Sequence, residues 1–232
     1  MNRAITNKIN YILDNWVPPR IRDSKLLMGA ALRLALGPKY KYYMSFKDDV
    51  DSMSEEEINR YYEILADTFM DRETDLNDGC VKFILENVIG STVLDAATGK
   101  GYLARRLREE VDVDTAVSAI DIVLPDKRTN GVTYTQATLT NLPFEDNAFD
   151  TVVCTHALEH IKDYQAALDE LRRICKKRLI IVVPKQREYK YTFDLHINFF
   201  PYEYSFRKFI HNDNAKILEI GHDWVCVEDL EK

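Results

Sequence analysis

Apolar residues recur at helical spacing through the first third of the chain and at strand spacing through the rest. Ile5, Ile9, Ile12 and Leu13 form one helical stripe, which Pro18-Pro19 stops. Leu26, Leu27, Met28, Ala31, Leu32 and Leu34 form a second, ended by Gly37-Pro38. Ser54 followed by Glu57 is a capping box, and the helix it opens carries Ile58, Tyr61, Tyr62, Leu65 and Phe69 on one side. Residues 76–88 read as one more helix. From residue 91 onward short apolar runs alternate with helical segments. Strands are predicted at 92–96, 116–120, 132–136, 149–154 and 178–183, with helices at 102–108, 164–175 and 202–210. Residues 216–220 and 224–227 flank Gly221-His222-Asp223 and read as a hairpin.

This rhythm predicts an α/β fold: a Rossmann-like, seven-stranded, mostly parallel sheet with an antiparallel C-terminal hairpin strand and an N-terminal helical cap. The expected division is residues 1–75 as cap or lid and 76–232 as the ligand-binding domain. Composition agrees with a packed core, at 46% hydrophobic and 30% charged residues. The net charge of -7 argues against a dedicated nucleic-acid binder, which usually carries a basic face. Cys80, Cys154, Cys175 and Cys226 are far apart in apolar stretches, so they read as buried thiols rather than disulfide or metal ligands. The first residues lack the apolar core of a signal peptide, and no apolar run reaches membrane-spanning length. The expectation is a cytoplasmic protein with no membrane partner and no metal; a homodimer stays open.

The chemistry starts where the first strand ends. Thr92-Val93-Leu94-Asp95 runs into Ala96-Ala97-Thr98-Gly99-Lys100-Gly101. A strand, a tight glycine turn and a helix start form the ligand crevice of a doubly wound sheet. Glycines there let a ligand approach backbone that a Cβ would shield. Asp121 follows Gly101 by twenty residues, at the end of the second strand, where an acid accepts hydrogen bonds from ribose hydroxyls. Gly99-Lys100-Gly101-Tyr102-Leu103-Ala104 also fits the dinucleotide pattern with alanine in third place, which leaves a nicotinamide-dependent oxidoreductase as an alternative.

Three further segments bear on that choice. They are residues 141–153, containing Leu142-Pro143-Phe144 and Phe149-Asp150; His156-Ala157-Leu158-Glu159-His160-Ile161; and His196-Ile197-Asn198-Phe199-Phe200-Pro201. In this order, behind Val93-Leu94-Asp95 and its loop, they resemble class I S-adenosylmethionine-dependent methyltransferases of the small-molecule branch. The resemblance implies S-adenosylmethionine as cofactor. It implies that Asp95, Ala97, Thr98, Gly99 and Gly101 neighbour the amino-acid part of the cofactor. Asp121 would hold its ribose, with Ile122 beside the adenine, as would Thr138 and Leu139. Thr155 and His156 would lie where the chain passes the methyl group. The chain departs from the family pattern in three places. Ala97 replaces the first glycine of the loop, which preserves close approach where its φ is negative. Thr138 replaces an acid, and Lys176-Lys177-Arg178 replaces a double glycine. Such departures also suit a non-catalytic protein that keeps the fold.

Methyl transfer to a hydroxyl needs a base, and histidine is suited to that near neutral pH. His156 and His196 are the candidates, with Asp194 or Glu159 as an orienting carboxylate. The expected acceptor is an O or N atom of a small molecule such as a sugar, nucleotide sugar or polysaccharide precursor. The tyrosines at 40, 42, 43, 61 and 62 either line a lid or pack the cap.

Overall fold

The computed structural model describes residues 11–12, 16–65, 73–188, 190–191 and 195–230. Most of the first predicted stripe, Phe69 and Asp194 lie outside them. The chain divides into two compact units. One is Met1–Arg72 with Arg187–Ile197; the other is Glu73–Gln186 with Asn198–Lys232.

The first unit is helical among its described residues: α1 (Pro19–Arg22), α2 (Lys25–Leu36), α3 (Tyr40–Asp49) and α4 (Glu55–Leu65). Ser24 caps α2 by accepting from the Leu27 amide at 3.5 Å. Gly37, at φ 56°, ends it. The predicted capping box opens α4: the Ser54 amide donates to Glu57 at 2.8 Å and the Glu57 amide donates to Ser54 Oγ at 3.3 Å. Met28, Leu32, Tyr43, Phe46, Ile58 and Leu65 close the core of this unit. Tyr40, Tyr42, Tyr61 and Tyr62 pack against that core. Tyr191 and Leu195 join it, and Leu195 accepts from the Tyr62 hydroxyl at 2.8 Å. The segment 187–197 therefore groups with the helices, which a single cut at 75/76 leaves out.

The second unit holds the sheet: β1 (Thr92–Ala96), β2 (Ala116–Asp121), β3 (Val132–Gln136), β4 (Phe149–Thr155), β5 (Cys175–Pro184), β6 (Lys216–Ile220) and β7 (Asp223–Asp229). Its helices are α5 (Asp78–Asn87), α6 (Tyr102–Glu110), α7 (Tyr164–Ile174) and α8 (Glu203–Ile210). Strand order is β3-β2-β1-β4-β5-β7-β6, parallel except that β7 runs antiparallel to both β5 and β6. The hairpin thus supplies an inner strand, β7, and the edge strand, β6. Its two-residue turn puts Gly221 at φ 60° and His222 at φ 64°, the primed geometry that matches strand twist.

Side chains two residues apart point the same way along a strand. Leu94, Ala96, Val152, Cys154, Leu179, Ile181 and Val183 therefore share one face and bury against α7 and α8. Val93, Val117, Val153, Ile180 and Val182 share the other and bury against α5 and α6. Crossovers on both faces place the carboxyl ends of β1, β2 and β4 side by side, at the point where strand order reverses.

Candidate functional site

The site is built where β1 ends. Asp95 is fully buried, and Thr98 Oγ1 donates to its Oδ2 at 2.6 Å. The Thr98 amide donates to the Ile120 carbonyl at 2.8 Å, which ties the loop to β2. The Gly101 amide closes the turn on the Thr98 carbonyl at 2.9 Å, and α6 starts from there. Gly99 and Gly101 have φ of 55° and 79°, left-handed values that cost glycine nothing. A Cβ on Gly99 would point into open space, so its backbone is bare toward that side. Asp121, at the end of β2, accepts from the Gly99 amide at 2.7 Å and from the Val123 amide at 3.2 Å. Loop and ribose-type acid are thus one hydrogen-bonded unit.

Ala97 corrects an expectation. Its φ is 67°, not negative. An L-residue there brings Cβ against its own backbone, at about 1–2 kcal/mol. The loop keeps its shape because the bonds from Thr98 and Gly99 to neighbouring strands hold it.

Charge is concentrated at this end of the sheet. Burial pushes the Asp95 carboxyl up to about 7, only partly offset by the Thr98 hydroxyl. Its Oδ1 is buried without a partner at bonding distance among the described residues; the Ala104 amide exerts a weak pull. Burial also raises Asp121, against the backbone amides that donate to it. Such an orphan acceptor, beside bare glycine backbone and a second carboxylate, fits a cation that also carries hydroxyls.

Thr155 and His156 follow at the end of β4. The His156 amide donates to the Val182 carbonyl at 2.8 Å, and its φ is 49°. Its Nδ1 lies 3.4 Å from Glu159 Oε1 and its Nε2 lies 3.6 Å from Asp223 Oδ2, both carboxylates being buried. Burial alone would lower the imidazole pKa, but the two carboxylates override it and push it up to about 10. The two carboxylates thus favour the imidazolium form of His156 near neutral pH. With both nitrogens protonated it has no lone pair to take a proton, which speaks against the base role read from sequence.

Asp223, at the start of β7, is the part of this cluster that the sequence reading missed. It accepts from Asn77 Nδ2 at 2.8 Å. Asn77 also caps α5, accepting from the Cys80 amide at 2.9 Å. One clue, the polar hairpin residue beside Gly221-His222, reads equally well as an ordinary turn. His160 ends a single 3-10 turn, Leu158–His160. Asn198 fastens that turn, donating through Nδ2 to the Leu158 and Ile161 carbonyls, each at 2.9 Å.

The remaining candidates are placed as follows. Ile122 lies just past β2, and its carbonyl accepts from Gln136 Nε2 at 2.8 Å. Thr138 lies past β3 in a tight turn, its hydroxyl 3.1 Å from that of Thr140. Leu139 is buried in the core behind it. His196 belongs to the first unit, in the segment Arg187–Ile197.

Residues 94–183 match the methyltransferase domain family. The match begins in β1 and ends in β5, so it covers the loop, Asp121 and the β4 end. The stretch from β1 to β5 is thus similar to a methyltransferase domain. The ubiquinone/menaquinone biosynthesis C-methyltransferase of Stenotrophomonas maltophilia is 38% identical over 98 residues, which are 38% of this chain and 39% of that protein. The 2-phytyl-1,4-naphtoquinone methyltransferase of Nostoc punctiforme is 32% identical over 98 residues, 38% of this chain and 43% of that protein. The matched stretch thus spans about two fifths of these relatives' length. Among solved structures, Burkholderia thailandensis 1,6-didemethyltoxoflavin-N1-methyltransferase, with S-adenosylhomocysteine bound, has a TM-score of 0.56 at 16% identity. That comparison covers 85% of this chain and 92% of the other, and it shows the shared fold. S-adenosylmethionine is the cofactor of this family, and the residues at the β1 and β2 ends fit it.

Proposed function

We propose that the protein is an S-adenosylmethionine-dependent methyltransferase with a small-molecule acceptor. The observation that carries this reading is the unit formed by the buried Asp95, the bare Gly99 backbone and Asp121, in which Gly99 and Asp121 share a 2.7 Å hydrogen bond. When bound, the cofactor would supply a methyl carbon activated by its positive sulfonium, open to in-line attack by an acceptor lone pair with the neutral sulfide as leaving group. The protein's part is to hold and align. Asp121 would accept from ribose hydroxyls through the lone pairs that the Gly99 and Val123 amides leave over. Asp95 Oδ1 would accept from a cationic group laid on the loop. Ile122 and Leu139 would flank the adenine, and Thr138, hydroxyl-paired to Thr140, would offer it a neutral contact. The imidazolium of His156 would hold the β4 end rigid between Glu159 and Asp223.

The first reading of the acceptor is an O or N atom, on a molecule such as a sugar or nucleotide sugar. There, His196 would be the base that removes the acceptor proton. A second reading is favoured by the activities of the two relatives: a carbon acceptor on a quinone-type ring. Calorimetry with S-adenosylhomocysteine tests the cofactor, with reduced nicotinamide as control. Binding of the first in the micromolar range and none of the second is expected. Binding of nicotinamide alone would overturn the reading in favour of an oxidoreductase. Transfer from methyl-labelled cofactor to demethylated quinols or to nucleotide sugars then separates the two acceptors, and His196→Asn should lower kcat only for the O or N class.

A further inference from the structure

Helix α2 is apolar around nearly its whole circumference, yet only one side of it is buried. Met28 and Leu32 point into the core of the first unit. Leu26, Leu27, Ala30 and Leu34 lie on the opposite arc at 100° per residue, and all are exposed. Leu26 is 85% exposed and Leu34 is 91% exposed. Just before the helix, Trp16 is 75% and Ile21 49% exposed. A helix hydrophobic all round is normally buried all round, and exposed apolar patches of this kind mark binding surfaces.

The charge around this arc names its partner. The chain as a whole carries a net charge of -7. Residues 18–43 reverse that sign, with six basic residues against one acidic residue, Asp23. Arg22 is spoken for, 3.7 Å from Asp23, and Lys39 donates to the Ile64 carbonyl. Arg20, Lys25, Arg33 and Lys41 are exposed. Arg33 borders the apolar arc, Lys25 opens the helix, and Arg20 and Lys41 sit on the flanking segments. Leucines and a tryptophan between exposed cations match the acyl boundary and anionic headgroups of a bilayer surface. A second copy meeting this face through its own would set the same cations against one another, like charge on like. No described helix is long and apolar enough to cross a membrane, so the contact is with a surface.

We infer that the exposed face of α2, with Trp16 and the cations around it, docks the protein on an anionic lipid surface. The inference is independent of the cofactor and acceptor.

Vesicle flotation with the full chain tests it, using phosphatidylcholine alone and phosphatidylcholine with one quarter phosphatidylglycerol. The wild type should float with the anionic vesicles and at least about tenfold less with the neutral ones, and 0.5 M salt should release most of it. Leu26→Ser with Leu34→Ser should cut flotation about tenfold with the thermal midpoint unchanged, because both side chains already face solvent. Arg20→Gln with Lys41→Gln should weaken binding to anionic vesicles only. Wild type that stays with neither vesicle overturns the inference, as does a serine double variant that floats like wild type. So does a wild-type dimer in ultracentrifugation that the double variant dissolves while neither protein floats; the face would then be a self-association surface.

Discussion

At the scale of single residues, His156 carries the sharpest consequence of the structure. Its folded pKa lies above the usual imidazole value, so its ion pairs stabilise the fold fully below about pH 6.5. That stability drains away as pH rises, and is lost once pH passes about 10. Nitrogen-15 spectra should find both ring nitrogens protonated at pH 8. In His156→Gln, the decline in urea midpoint between pH 7 and 10 should flatten; an unchanged decline would refute the assignment. Asp95 has the opposite arithmetic. Its raised pKa means that burial of the charged form costs stability, a cost that appears as pH climbs from about 4 to about 7. A cationic ligand on the loop should pull a proton off it, so calorimetry at pH 6.5 in two buffers of different ionisation enthalpy should show proton release. Ala97→Gly relieves a left-handed alanine, while glycine gains freedom in the unfolded chain. The net effect should be a gain of about 0.5–1 kcal/mol in unfolding free energy, read from urea denaturation, with cofactor affinity unchanged.

At the scale of elements, Asn77 joins three pieces: it caps α5, donates to the Ile220 carbonyl at 2.9 Å ahead of the hairpin turn, and donates to Asp223 on β7. Caps are worth about 1 kcal/mol, and a hydrogen bond to a buried charge about 1.5–3 kcal/mol. Asn77→Ala should therefore lower the unfolding free energy by about 2.5–4 kcal/mol in urea. Asn77→Asp keeps the cap but sets a second carboxylate against Asp223, so its deficit should shrink as pH falls. An equal loss for both variants at every pH would argue against the network. Most element positions were legible beforehand. β1, β3 and β6 fall where the apolar runs end at turn residues, and Ser54-Glu57 announces α4. Strand β5 is longer than its apolar run because it already opens at Cys175, paired with Phe149, and passes an irregularity at Lys176 and Lys177 before Arg178 pairs with Thr151.

At the scale of the whole molecule, ligand linkage separates the competing functions. Excess S-adenosylhomocysteine at about 100 times its Kd should add about 2.7 kcal/mol and raise the thermal midpoint, and Asp121→Ala should remove most of that rise. An unshifted midpoint with the wild type would leave the fold without this ligand. The crevice itself follows from topology: strand order turns between β1 and β4, and the loop opens there.

Sequence alone determined the alternation of strand and helix, the glycine loop and Asp121, because these are local signals: period, turn chemistry and fixed spacing. The loop's ligand was legible only through several ordered segments together. Tertiary structure decided the rest. It brought Asp223 and Glu159 to His156 across 67 and three residues of chain, which sets two buried carboxylates beside its ring. It gave Ala97 a positive φ, and it drew 187–197 into the helical unit. It also left half of α2 exposed. Electrostatics and burial depend on which distant groups meet, and no periodicity along a chain encodes that.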